Sequence, residues 1–311
     1  MNINQPFWKN LNKPFYALAP MAGITDFAFR QMCIDLGADV VYSEMASINA
    51  LVYQSTKTLE MLRPNNSETP YVVQLFGDNP NHFAIAAKII TEQVRPTGLD
   101  INLGCPAPKI LKQKAGAELF QDLPLARKVI KAVSDSTDLP VSIKTRRKAG
   151  QMEVLKFLDG ISDLKISALM IHGRELKQQH SGPVDADIIK QARNYFGGII
   201  IANGGVKNFE SAQALLNESQ AEGIAIGQAA MGRPWIFDDI KKQKEVIKDF
   251  EEIKNIILQH AELMYADKGP AGILEMRKHL CWYVTGQKKA AELRMKLVKV
   301  ESIDDIKKAL N

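Results

Sequence analysis

Cysteine is scarce in this chain, and the little there is stands apart: Cys33, Cys105 and Cys281 are the only three in 311 residues. An odd, dispersed set excludes a disulfide framework and a zinc cluster. Long hydrophobic runs are missing as well. No stretch reaches the roughly 18 apolar residues of a membrane span. The opening decapeptide, MNINQPFWKN, has no basic region followed by an apolar run. No export signal is therefore expected, and the cytoplasm is the default compartment. A strong excess of one charge is also absent. The net charge is +5, from 40 basic and 35 acidic residues, which by itself excludes little. Low-complexity segments do not occur.

What is present is a series of short apolar runs rich in β-branched residues. They are FYALAP (15–20), VVYSEM (40–45), YVVQLFG (71–77), LDINLG (99–104), VSIKTR (141–146), ALMIHG (168–173), GIIIANGG (198–205) and GIAIGQ (223–228). Several are nearly all apolar, as strands buried on both faces should be. Helical patterns lie between them, such as TDFAFRQMCIDLG, NPNHFAIAAKIITEQ and DLPLARKVIKAVSDST. The last two open on Asn or Asp with Pro near the first turn. About eight strand–helix units in series predict an α/β fold of the (β/α)8 TIM-barrel type. A doubly wound sheet usually has fewer strands. The barrel is expected over residues 1–240. Residues 241–311 read as helix after helix and predict a C-terminal all-helical domain, with AAELRMKLVKVESIDDIKKALN as its last helical pattern.

Barrel chemistry collects at the C-terminal ends of the strands. Pro20, Met21 and Ala22 end the first run, Gln74 the third, and Asn102 with Cys105 the fourth. Lys144 and Arg146 end the fifth, His172 and Arg174 the sixth. Asn203, Gly204 and Gly205 close the seventh, Gly227 and Gln228 the eighth. Glycine-containing turns after the last two strands suit a phosphate. Lys144 and His172 could add positive charge to it. Gln74 and Asn102 offer amide donors and acceptors to the edge of a heterocycle, and the small, apolar PMAG segment suits a flat ring. A phosphate plus a flat polar ring suggests flavin mononucleotide. No metal site is expected.

Cys33 and Cys281 fall in helical patterns and read as small core residues. Cys105 differs. Gly104 permits an unusual turn before it, and Pro106 stops the strand after it. Nucleophile, acid and bystander all remain open for this thiol; a protonated thiol can donate a proton at neutral pH. Between Arg277 and Lys299 the tail carries seven basic residues against the single acid Glu292. That is either a solvated helix face or a contact surface for a polyanion such as RNA.

Together, LAPMAGITDFAFR, VQLFG, DINLGCPAPKILKQKAGAELF, IHGR, IANGGV and GQAAMGRPWIF resemble the signatures of the tRNA-dihydrouridine synthase family. RKHLCWYVTG resembles the tail segment of its bacterial B-type branch. The resemblance runs from about residue 15 to residue 290. It implies a barrel that binds FMN, a helical domain that helps hold tRNA, and reduction of the uridine C5=C6 bond with NADPH as the reductant of the flavin. It implies Cys105 as the proton donor. Pro20, Met21, Ala22, Gln74, Lys144, His172, Asn203, Gly204, Gly205, Gly227 and Gln228 fall on FMN-contacting positions, and Asn102 on a position near the target base. Arg146, Arg174, Lys288, Lys289 and Arg294 are the further expected RNA contacts. The chain departs from the family pattern at three places. Gln228 stands where many relatives have arginine, KTRRKAG replaces an Arg-Thr-Gly order, and NGG replaces Asn-Gly-Asp. A monomer in the cytoplasm is expected.

Rival readings are a flavin barrel acting on a small pyrimidine, a barrel that binds RNA without chemistry, and a phosphate-binding isomerase or aldolase barrel without flavin. The first survives loss of the tail, and the last gives a colourless protein.

Overall fold

The computed structural model describes residues 7–65, 67 and 69–311. Eight parallel strands form the wall of a closed barrel: β1 (Phe15–Leu18), β2 (Val40–Ser47), β3 (Tyr71–Phe76), β4 (Gly98–Leu103), β5 (Val141–Ala149), β7 (Ala168–Glu175), β8 (Ile199–Asn203) and β9 (Gly223–Ile226). Each pairs with the next, and closure comes from Phe15–Leu18 of β1 against Gly223–Ile226 of β9. The two-residue strand β6 (Met152–Glu153) only folds back antiparallel on the end of β5. Neither this hairpin nor the continuation of β5 to Ala149 was expected from the apolar runs.

Period-2 alternation explains how one set of strands makes both a core and a site. Phe15, Tyr42, Val72, Met170 and Ile199 point into the barrel and pack as one cluster with Trp8. Tyr16, Val41, Val73, Leu169 and Ile200 point outward and pack under the helices. Two residues further along several strands, the inward positions turn polar: Gln74 after Val72, His172 after Met170, Asn203 after Ile201. The apolar plug thus fills one end, and the polar set faces the other.

Two helices begin at the expected Asn79 and Asp122, and Asp26 adds a third side-chain cap. Asp26 accepts from Phe29 N at the start of Phe27–Asp35, Asn79 caps Pro80–Ile89, and Asp122 caps Leu123–Ser134. Each cap satisfies backbone donors that the helix leaves open. Four helices make the tail: Phe250–Lys268, Pro270–Tyr283, Ala290–Leu297 and Ile303–Leu310. The last two correct the reading of 290–311 as one helical pattern. Ser302 accepts from Asp305 N, and the Asp305 carboxylate accepts from Ser302 N, so a capping box restarts the chain there.

Ile257, Met264, Met276, Leu280 and Leu297 form the tail's core, and Ala28 and Trp235 from the barrel side complete it. Phe29 packs against the edge-to-face pair His260 and His279, with ring centroids 5.7 and 5.1 Å away. Lys268 Nζ sits 3.2 Å from Asp26. The tail is therefore fixed beside the first strand–helix unit, next to the barrel mouth. No helix among the described residues is long and apolar enough to cross a membrane.

Candidate active site

A cavity of about 390 Å³ opens at the C-terminal ends of the strands, within the usual range of small-ligand clefts, roughly 300–1,000 Å³. Pro20, Met21, Ala22, Gln74, Asn102, Cys105, Lys144, Arg146, His172 and Arg174 line it, as do Asn203, Gly204, Gly205, Gly227 and Gln228. Strand ends far apart in the sequence thus meet in one place. Met45, Ile24 and His180 also line it. His180 lies on the turn after β7, beyond the reach of strand alternation, so nothing in the sequence marked it.

A chain of hydrogen bonds runs from the barrel interior to Cys105. Asp100 is fully buried, and its carboxylate accepts from Ser142 Oγ (2.6 Å) and Gln74 Nε2 (2.7 Å). Gln74 Oε1 accepts from Asn102 Nδ2 (2.9 Å). Asn102 Oδ1 in turn accepts from the backbone N–H groups of Gly104 (3.1 Å) and Cys105 (2.9 Å). Backbone donors at one end and a carboxyl acceptor at the other leave each amide one orientation. Burial pushes the Asp100 carboxyl up to about 6, against the bonds from Gln74 and Ser142 and the charge of Lys144. Asn102 is thus engaged in shaping the Cys105 turn.

That turn is held from the other side too. Cys105 O accepts from Ala117 N (3.1 Å). Gly116 has φ +63°, and a Cβ there would lie 2.9 Å from Cys105 O and 3.0 Å from Cys105 Cβ. Glycine is required both for the left-handed backbone and for this close approach. Pro106 and Pro108 stiffen the exit, with Pro108 at the first position of the helix Pro108–Leu111. The half-buried thiol borders the cavity.

Positive charge concentrates on the β5–β7 side. Lys144 Nζ has no hydrogen-bond or ion-pair partner among the described residues. Burial and the nearby Arg146 pull it down to about 8, opposed by Asp100 and Cys105. His172 falls to about 2, through burial first and then Lys144, Arg146, Arg174 and His180, so its imidazole is neutral at pH 7. Arg174 Nε donates to Gly182 O (2.9 Å), and its Nη1 lies 3.4 Å from His172 Nε2.

Next to this side, at the end of β8, the wall is bare backbone. Gly204 has φ +105°, and a Cβ there would fall 2.6 Å from His172 Cδ2. No acceptor among the described residues takes the N–H groups of Gly204, Gly205, Gln228 or Ala229. Open donors and an unpaired lysine around one cleft are what an anionic ligand requires. The donor set therefore fits a phosphate-bearing cofactor. Gln74 and Asn102 line the cleft as well, and Met21 and Ala22 add small or apolar surface to the lining beside them.

The family model described as Dihydrouridine synthase (Dus) matches residues 17–311. The chain belongs to the dihydrouridine synthase family. It is 30% identical over 306 residues to a probable tRNA-dihydrouridine synthase of Aquifex aeolicus, covering 97% of this chain and 96% of that protein. It is 33% identical over 288 residues to tRNA-dihydrouridine synthase B of Vibrio vulnificus, covering 89% and 88%. Among solved structures, an old yellow enzyme homologue from Zymomonas mobilis superposes with a TM-score of 0.57 at 13% identity, covering 76% of this chain and 90% of that one. At that identity the likeness concerns the barrel fold alone.

In this member of the dihydrouridine synthase family the expected tail contacts lie away from the cavity lining. Lys288 and Lys289 are exposed. Arg294 is half-buried, and its Nε and Nη2 donate to Cys281 O (3.4 Å) and Thr285 Oγ1 (3.1 Å), so it closes the end of Pro270–Tyr283. Closer to the mouth, sequence reasoning passed over Lys109, Lys112 and Lys114. All three are exposed, none has an ion-pair partner among the described residues, and all sit on the segment that follows Cys105. The signal was there as the spacing in PKILKQK.

Proposed function

We propose that this chain reduces the C5=C6 bond of uridines in tRNA to 5,6-dihydrouridine, with FMN as cofactor, NADPH as reductant and Cys105 as proton donor. The observation that carries the reading is the placement of a half-buried thiol on a doubly tied turn at the rim of a cleft lined by an unpaired lysine and open backbone N–H groups. Lys144 and the N–H groups of Gly204, Gly205 and Gln228 would hold the FMN phosphate and its polar edge. Gln74 would meet the ring, and Pro20, Met21 and Ala22 would lie under it. Bound there, FMN supplies hydride chemistry.

The protein's own part is acid catalysis and positioning. Hydride addition at C6 of uracil, a position polarised by the C4 carbonyl, leaves an enolate that needs a proton at C5. The Cys105 Sγ–H gives that proton, the S–H bond breaks, and the thiolate is reprotonated from solvent. A thiol in its neutral form suits this work, because it carries the proton until the enolate forms.

A stacked uridine cannot enter the mouth, so the base must be turned out at a cost of a few kcal/mol. The rest of the RNA repays this through its phosphates. The exposed lysines beside Cys105 and the basic tail segment are the surfaces that would meet them. On this reading residues 1–240 form the catalytic unit and residues 241–311 the RNA-holding unit, acting as a cytoplasmic monomer. Mapping dihydrouridine in the RNA of cells lacking this gene, and of cells in which it is restored, tests the assignment. Loss and return of dihydrouridine at defined sites is expected. An unchanged map refutes it. A small-pyrimidine reductase would keep its activity after truncation near residue 240, whereas the tRNA enzyme should lose it.

A further inference from the structure

Arg146 is 2% exposed, and all three hydrogen bonds of its guanidinium go to backbone carbonyls. Nε donates to Gly104 O (2.9 Å), and Nη1 donates to Glu175 O (3.1 Å) and Gln179 O (2.9 Å). Gly104 is the residue before Cys105. Glu175 and Gln179 flank the turn that brings His180 to the cavity. No carboxylate pairs with Arg146 among the described residues, and Arg174 adds repulsion. A buried cation without a counter-ion is expensive to keep, so plain stability is a poor reason for this residue.

The turn it holds is itself strained. Gln179 has φ 50° and ψ −97°, a region that side-chain-bearing residues avoid. Its carbonyl is one of the three that Arg146 gathers. The neighbouring Arg147 pairs instead with the carboxylates of Glu175 and Asp185. Consecutive arginines therefore fix the two sides of one turn, but only Arg146 also reaches the Cys105 loop. On that loop the two ties are complementary. Asn102 holds the N–H groups of Gly104 and Cys105, while Arg146 holds the carbonyl of Gly104.

We infer that Arg146 is a positioning residue for Cys105: it locks the acid-bearing loop to the Glu175–His180 turn, so that the thiol and the cavity wall opposite it keep one spacing. Its effect passes through the three carbonyls and not through contact with RNA. Only a planar fork of five donors can serve these acceptors together; a lysine ammonium is a point donor and cannot span them. The inference rests on the assignment of Cys105 as the proton donor.

Arg146→Lys tests it in the full-length, FMN-loaded protein, with Arg146→Gln as a second variant should the lysine form fold poorly. Four quantities are read: FMN content, the rate of flavin reduction by NADPH, tRNA affinity with its salt dependence, and dihydrouridine formed in a single turnover at saturating tRNA. The expected result is an unchanged FMN content, flavin reduction rate and salt slope, with the single-turnover rate down by about 10- to 100-fold, the scale of a misplacement near 1 Å. Arg146→Ala should regain part of its rate when free guanidinium ion is added at low concentration. A lower tRNA affinity with a shallower salt slope and a normal saturating rate would make Arg146 an RNA contact and overturn the inference. Loss of FMN in step with the rate, or wild-type turnover in both variants, overturns it as well. If the unmutated protein forms no dihydrouridine in the same assay, it is the proposed activity that has failed; if Cys105→Ala forms it as fast as the unmutated protein, it is the reading of Cys105.

Discussion

Replacing Lys144 by methionine should make the flavin-free protein more stable and its cofactor less tightly held. The lysine is half-buried on β5, faces the cavity and has no partner among the described residues. Its pKa is drawn from 10.5 to about 8, chiefly by burial. The sign follows from linkage. A cation whose folded pKa is depressed destabilises the folded state fully below pH 8, and that penalty fades as the pH rises through the unfolded value near 10.5. At about 1.4 kcal/mol per pH unit the shift amounts to about 3 kcal/mol, an upper bound for a side chain still in touch with solvent. Lys144→Met should therefore raise the melting temperature of the apoprotein at pH 7, with the gain shrinking toward pH 10.5. Against this, losing a charge-assisted bond to phosphate is worth about 1.5–3 kcal/mol, or roughly 10- to 150-fold in affinity. Thermal melts of the apoprotein across pH, with a fluorescence titration of FMN, read both halves. A variant that melts lower at pH 7 and binds FMN normally would refute the placement of this lysine as an anion ligand.

Other outcomes follow from the same geometry. Asp100 has its pKa raised from 3.8 to about 6, with burial as the leading cause; its contribution to stability is complete below pH 3.8 and is lost as the pH rises through 6. Asp100→Asn, which can still accept from Gln74 and donate to Ser142, should melt higher than wild type at pH 7.5 and equally at pH 3.5. Neutralising Lys109, Lys112 and Lys114 together should weaken tRNA binding and lower the salt slope by about one for each phosphate left without its lysine, with FMN content unchanged; an unaltered slope counts against this surface. Neutralising Lys288 and Lys289 should do the same to a smaller extent. Gly116→Ala should disturb the Cys105 turn, since its Cβ has no room beside Cys105 O, and should lower dihydrouridine formation more than FMN binding, read by single-turnover assay beside flavin absorbance.

Much of this was legible in the sequence because strands and caps are local. Asn79 and Asp122 announced their helices, and eight apolar runs announced the barrel. The strand-end residues converge because inward positions recur every second residue, which places Gln74, Asn102, Lys144, His172 and Asn203 on one rim. Gly104 and Pro106 marked a stiff turn at Cys105. What stayed hidden depends on distance in three dimensions. Arg146 reads as an open cation next to a ligand, and only the folded chain places it against three carbonyls from two loops. Asn102 reads as a base contact, yet its oxygen is taken by Gly104 and Cys105. His180 lies on a turn with no periodicity to expose it. The break between Ala290–Leu297 and Ile303–Leu310 was missed because the apolar pattern continues through it, while Ser302 and Asp305 restart the helix.

The most direct test of the account sets Cys105→Ala beside the wild type, each carrying FMN and reduced beforehand with NADPH, on an unmodified tRNA transcript. The side chain takes no part in the bonds that hold its loop, so the variant should take up flavin and oxidise NADPH as the wild type does. Mass spectrometry of the digested RNA is expected to find dihydrouridine from the wild type, and about 10²–10⁴-fold slower formation from the variant. Equal rates of dihydrouridine formation from the two proteins would contradict it.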